Sequence, residues 1–190
     1  TLTSHIPAGG ISRSEYFVRN IGDERIEMNY FSVDKDYLHQ MEIELIAGRD
    51  VLPEANSSNE TEILINEKAL AVFQFENSYD AIGKVLYNED SIPVNIVGVI
   101  EDYHHQMMVT EIAPLAIRHL PDRLGYAHVK FNTIDDEKNI KQVEAAWAEI
   151  NPTKNLQYKF LNDEINEFYD FSFGDLTKVI TVFSILALSV

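Results

Sequence analysis

The segment Val94-Asn95-Ile96-Val97-Gly98-Val99-Ile100 constrains this chain more than any other. Valine and isoleucine branch at Cβ, which restricts their side-chain rotamers in a helix and suits them to a pleated sheet. An almost unbroken apolar run of this length belongs to a strand in the interior of a sheet. Ile96, Val97, Val99 and Ile100 are therefore expected to be buried. Gly98 is expected where another backbone comes close, since it has no Cβ to obstruct it.

Other elements group around this strand. Glu15–Arg19 and Arg25–Val33 read as strands, and Asp34 as the cap of a short helix carrying Tyr37, Leu38 and Met41. Ile43–Ala47 is a further strand, and the polar stretch Pro53–Glu60 a surface loop. Ile63–Ile65 reads as a buried strand. Asn66 then caps a helix through Phe73 that turns Ala69, Leu70 and Phe73 inward. Gly83 marks a tight turn before a Val85–Tyr87 strand. Pro114–His119, Ala127–Phe131 and Leu156–Leu161 read as strands. Ile140, Val143, Ala146, Trp147 and Ile150 recur at helical spacing behind an Asp135 or Asp136 cap. A final helix starts at Asn162 or Asp163. The fold class that follows is α+β, a mixed sheet of strand–helix–strand units with helices on one face.

Charge narrows the function classes. The 190 residues carry a formal net charge of −16, which repels phosphate backbones and argues against nucleic-acid partners. With no cysteine, disulfides, thiolate metal sites and cysteine nucleophiles are excluded. From Val179 to Val190 the chain is VITVFSILALSV, without a charge after Lys178. A membrane span needs about 20 apolar residues, so this run is expected to be the start of a transmembrane helix.

Several short segments, taken in order, match one family. Val33-Asp34-x-x-Tyr37-Leu38 followed by Ile43-x-Leu45-x-Ala47-Gly48-Arg49-Asp50 resembles the opening signature of the MacB-like periplasmic core domain. That domain belongs to permeases of MacB/FtsX-type ABC transporters. Ile65-Asn66-Glu67-Lys68-Ala69, Ala81-Ile82-Gly83-Lys84 and Ile96-Val97-Gly98-Val99-Ile100-Glu101-Asp102-Tyr103-His104 resemble its later motifs, with Ala81 where proline is usual. Pro114-Leu115, the helix with Trp147, the Asn151-Pro152 break, Tyr158-x-Phe160-Leu161-Asn162 and Phe168-Tyr169 are similar to its C-terminal half.

The resemblance implies a two-lobed α+β domain with a smaller strand-rich lobe and a C-terminal helix leading into the membrane. Residues 1–177 would be the extracytoplasmic domain, lacking the family's first strand and helix before Ile6-Pro7. Residues 178–190 would begin the membrane helix. The implied setting is the periplasmic side of a bacterial inner membrane. The implied partners are a cytoplasmic ATP-binding cassette subunit, a second permease copy in a dimer or pseudo-dimer, and a periplasmic adaptor protein. The domain would couple ATP-driven helix motion to export or mechanotransmission, without catalytic, cofactor or metal residues of its own.

The most site-like cluster is Asp102-Tyr103-His104-His105. Two imidazoles beside a carboxylate are metal-ligand chemistry, which keeps open a membrane-tethered metal-dependent hydrolase. A ligand-sensing receptor domain is a further alternative. But neighbours on an extended segment point to opposite sides, so one ion rarely takes both histidines. The plainer reading has Asp102 bonding backbone amides and Tyr103 packing. Gly48-Arg49-Asp50 reads as an ion pair stapling a strand end. Gly83-Lys84 lacks a phosphate-binding Gly-rich loop.

Overall fold

The computed structural model describes residues 1–7, 13–51, 61–106, 110–132 and 135–188, with backbone alone over 175–188. The chain divides into two units, Thr1–His128 and Val129–Val190.

In the first unit, strands β1 (Leu2–Thr3), β2 (Arg13–Phe17) and β3 (Ile26–Ser32) lead to helix α1 (Tyr37–Met41), then β4 (Leu45–Gly48) and β5 (Glu62–Asn66). Helices α2 (Glu67–Val72) and α3 (Ser78–Ala81) follow, then β6 (Val85–Tyr87), β7 (Pro93–Ile100), β8 (Leu115–Arg118) and β9 (Tyr126–Ala127). Seven strands form one mixed sheet in the order β2-β3-β8-β5-β7-β4, with β6 also on β7. β3 runs parallel to β8 and β5 parallel to β7, while the remaining pairs are antiparallel. β7 has β5 along one edge. Its other edge is shared by β6 at Pro93–Asn95 and β4 at Gly98–Ile100. The sheet curls until Val18, just after β2, exchanges two hydrogen bonds of 2.9 Å with Tyr87 at the end of β6.

Period-two alternation gives each face its own core. Met28, Tyr30, Ile63, Ile65, Ile96, Val99 and Ala116 pack with Ala69 of α2 and Ala81 of α3. Phe31, Val33, Leu64, Ile100, Leu115 and Ile117 pack with Tyr37 and Leu38 of α1. Helices therefore cover both faces, which corrects the expectation of one. The reason is that β5 and β8 are apolar at odd and even positions alike, so both sides of the sheet need burying.

β7 carries a bulge. Ile63 pairs with Ile96 but Leu64 with Gly98, leaving Val97 as the extra residue. Without it, Val94, Ile96, Gly98 and Ile100 would share one face. The bulge returns Val99 to the face of Ile96 and sends Ile100 to the other. Ile96, Val99 and Ile100 are fully buried as expected, whereas Val97 is only half-buried. Close approach at Gly98 is met: a Cβ there would lie 2.4 Å from the Arg49 carbonyl oxygen and 2.6 Å from Leu64 Cδ2.

The second unit contains α4 (Asp136–Ile150) and α5 (Leu161–Leu188). Asp135 caps α4, its Oδ1 accepting from the Lys138 amide at 3.1 Å. Among the described residues the regular elements of this unit are these two helices. The strand expected at Leu156–Leu161 is absent, and of Ala127–Phe131 only Ala127 is in a strand, paired with Leu2. Ile140, Val143 and Trp147 of α4 are accordingly half-buried and Ile150 is exposed. α5 is one continuous helix. Among the described residues no helix is long and apolar enough to cross a membrane, and the side chains of the Val179–Val190 run lie outside the described residues. The Pro53–Glu60 loop lies outside them too.

Candidate functional site

The segment Glu101–His105, at the C-terminal end of β7, is tied to four other elements. Glu101 exchanges bonds with Glu44 just before β4: its amide donates to the Glu44 carbonyl at 3.0 Å, and its Oε1 accepts from the Glu44 amide at 2.8 Å. Asp102 sits at the start of α2, where its Oδ1 accepts from the Lys68 amide at 2.9 Å and from Asn66 Nδ2 at 2.8 Å. A carboxylate is favourable there because the first helical amides are unpaired.

Asn66 is the hub of this arrangement. Fully buried, it uses both ends of its amide. Oδ1 accepts from the Ala69 amide at 3.1 Å and the Leu115 amide at 2.9 Å. Nδ2 donates to Asp102 and, at 3.1 Å, to the Ala113 carbonyl. One side chain thus caps α2, starts β8 and holds the segment after β7. Its sequence signal was only that of a helix cap.

Tyr103 packs against the second core cluster, its hydroxyl 3.2 Å from that of Tyr37 on α1. Burial pushes the Tyr37 phenol up to about 12, against the opposing effect of that hydrogen bond, and raises Tyr103 well above the ordinary value. Both stay protonated at neutral pH. The two histidines part company, as extended backbone dictates. His104 is exposed. His105 is 2% exposed, with edge-on ring contacts to Phe31 and Tyr103. Its Nδ1 lies 3.2 Å from the Tyr103 carbonyl, which can only accept, and its Nε2 lies 3.3 Å from Asn29 Nδ2. The proton therefore sits on Nδ1 and Nε2 accepts, a neutral imidazole with both nitrogens engaged. Burial holds its basicity below the ordinary value, outweighing the Tyr103 carbonyl and Asp102, which act the other way.

The geometry thus joins Asp102, Tyr103 and His105 through backbone and neutral partners, and leaves His104 outside. Among the described residues no group of three or more histidine, cysteine, aspartate or glutamate side chains is placed to hold a metal ion. Arg49 forms a two-pronged pair with Glu62, at 2.9 and 2.5 Å, linking the ends of β4 and β5 across β7. Gly83, with φ +79°, forms the turn before β6, and its amide donates to the Ile96 carbonyl at 2.8 Å.

Sequence reasoning missed a buried cation. Arg118 on β8 is 2% exposed. Its Nη2 donates to Glu15 Oε2 of β2 at 2.7 Å, and its guanidinium lies 3.8 Å over the Tyr30 ring. The available signal was one arginine closing the apolar strand Leu115-Ala116-Ile117.

No protein-family model matches the chain, and no curated protein matches it in sequence. Solved structures do. The periplasmic region of MacB from Actinobacillus actinomycetemcomitans superposes with a TM-score of 0.54 at 15% identity, over 86% of this chain and 72% of that one. This chain has the MacB-like periplasmic fold. The extracellular domain of the ABC-type transporter YknZ from Gram-positive bacteria shares it, with a TM-score of 0.53 at 14% identity, over 76% of this chain and 74% of that one. Within the MacB-like fold of this chain, the motif residues Asn66 and Asp102 meet at the C-terminal end of β5 and β7, while Gly98 pairs with Leu64 two residues earlier.

Proposed function

We propose that this chain is the extracytoplasmic domain of an ABC transporter permease subunit in a bacterial inner membrane. It transmits motion between membrane helices and partners outside the cytoplasm, in export or mechanotransmission. Residues 1–177 are the domain and residues 178–190 the start of a membrane helix. A cytoplasmic ATP-binding cassette subunit supplies the energy, and a second permease copy and a periplasmic adaptor complete the assembly. The observation that carries this reading is the fold shared with the MacB periplasmic region over 86% of the chain. The continuous helix α5 supports it, because a rigid helix passes an axial shift from one end to the other.

The full-length protein offers a direct test once any cysteine outside these 190 residues is replaced by serine, since the 190 residues contain none. Tyr79 is 76% exposed, so Tyr79→Cys is a single labelling site. A membrane-impermeant maleimide should label it in cells with a permeabilised outer membrane, and the protein should co-purify with an ATP-binding subunit. Labelling that requires lysis of the inner membrane would sink the placement. Absence of the ATPase from the purified complex would sink the transporter reading.

The non-enzymatic part of the reading is supported by His105, whose ring nitrogens are committed to Tyr103 and Asn29. Zinc at stoichiometric concentration should accordingly leave Tm unchanged, because only a ligand that binds the native state raises it. A zinc-dependent rise that disappears when His104 and His105 are both replaced by alanine would restore the metal-dependent alternative.

A further inference from the structure

Phe31 of β3 contacts two imidazoles. The His5 ring meets it edge-on at 5.4 Å and the His105 ring at 6.0 Å. His5 belongs to the N-terminal segment and His105 to the connection between β7 and β8, so two separate stretches of chain meet on one aromatic ring. Both histidines are held as neutral bases. His105 presents an accepting Nε2 to the Asn29 amide nitrogen. His5 Nδ1 lies 2.7 Å from Ser4 Oγ. That hydroxyl accepts from the Ser32 amide at 2.9 Å and keeps its own proton available to donate to a neutral ring.

We propose that the His5–Phe31–His105 stack is an acid-released clasp: neutral rings hold the N-terminal segment and the β7–β8 connection against β3, and proton uptake frees both. Burial outweighs those groups facing the rings that favour a charge, the Tyr103 carbonyl and Asp102 at His105. Around His5 the facing groups are Ser4, the Tyr30 and Phe31 rings and the cation of Arg13. Around His105, β3 offers Asn29 and Phe31, and α1 offers only the Tyr37 hydroxyl, by way of Tyr103. His104 adds like charge when protonated. Among the described residues Asp102 is the one carboxylate acting on His105, and its Oδ1 is already taken by Asn66 and Lys68.

The sign follows from burial. Desolvation lowers the basicity of both rings, with Arg13 adding to the effect at His5. A released ring binds its proton at about pH 6.5, and a held ring only at lower pH. The clasp is therefore fully closed above about pH 6.5 and weakens as pH falls below it. Each ring contributes up to about tenfold in the opening equilibrium per pH unit, so two give about a hundredfold.

The test is amide hydrogen exchange on the 190-residue chain between about pH 7.5 and 5.0, corrected for intrinsic exchange chemistry. The reporters are the Ser4 amide, bonded to the Ser32 carbonyl, and the His105 amide, bonded to the Tyr103 carbonyl. The Ile65 amide in the sheet core serves as the reference for global unfolding. Opening at the reporters should steepen below pH 6.5 while Ile65 lags. His5→Gln or His105→Gln alone should reduce the slope towards tenfold per pH unit, and the double variant should abolish it. A pH-independent wild type, or a double variant with the full slope, would overturn the clasp. If the glutamine variants do not fold, NMR titration of the wild-type rings decides: both should titrate below the ordinary histidine value, and titration at or above it refutes the proposal. None of these readouts depends on a membrane or an ATPase, so this inference and the transporter reading can fail separately.

Discussion

Asn66 shows how much one side chain can organise. Its four hydrogen bonds reach α2, β8, Asp102 and the Ala113 carbonyl, all from a fully buried position. Truncation strands those groups away from water, and a buried polar group left unpaired costs about 1–3 kcal/mol. Asn66→Ala should therefore destabilise the domain by about 3 kcal/mol in urea denaturation. Asp102→Ala, which removes a partly solvated helix-end contact, should cost about 1 kcal/mol. Similar losses for the two would contradict the hub role. Glycine effects divide in the same way. At Gly98 a methyl group would meet the Arg49 carbonyl at 2.4 Å, whereas at Gly83 nothing lies within 4 Å and only the φ of +79° resists a side chain. Gly98→Ala should cost more than about 2 kcal/mol through overpacking. Gly83→Ala should cost about 1–2 kcal/mol, from left-handed strain alone. Equal midpoints for these variants would refute the close approach.

Among the elements, β7 decides the arrangement, and its bulge separates two neighbouring valines. Val99 is fully buried on the α2–α3 face, whereas Val97 bulges out and is half-buried. The nearly unbroken apolar run had put both in the core, because a one-residue insertion in the pairing leaves no trace in such a run. A carboxylate should tell them apart. Val99→Asp buries an unpaired charge and should prevent folding. Val97→Asp should remain folded, with a loss of about 1–2 kcal/mol seen by circular dichroism on heating. A folded Val99→Asp protein would refute the bulge register. Asn66 and Asp135 act as the caps they resemble, accepting from amides in the first turn, since capping is decided within four residues. Asp34 does not, because α1 begins later, behind Asp36, whose amide Asp34 accepts from instead. The missing Leu156–Leu161 strand is the opposite case: its alternation was present, but a strand forms only where a partner edge is available.

At the scale of the molecule, a net charge of −16 sets a background of self-repulsion that favours expanded states. Raising sodium chloride from about 10 to 200 mM shortens the Debye length from about 30 Å to below 10 Å, so Tm should rise by several degrees. A flat or falling Tm would mean that local pairs such as Arg49–Glu62 and Arg118–Glu15 outweigh the global charge.

What the sequence by itself determined lies within short windows: the apolar strands of the sheet, the caps of α2 and α4, the turn at Gly83 and the interior character of β7. Those follow from side-chain shape and from hydrogen bonds a few residues long. The tertiary structure alone decided that helices cover both faces of the sheet and that Val97 is bulged. It also decided that Arg118 is buried over Tyr30, and that His5 and His105, 100 positions apart in the chain, meet on Phe31. Each of these depends on pairing between distant segments, whose register is set by the competition of whole faces for burial.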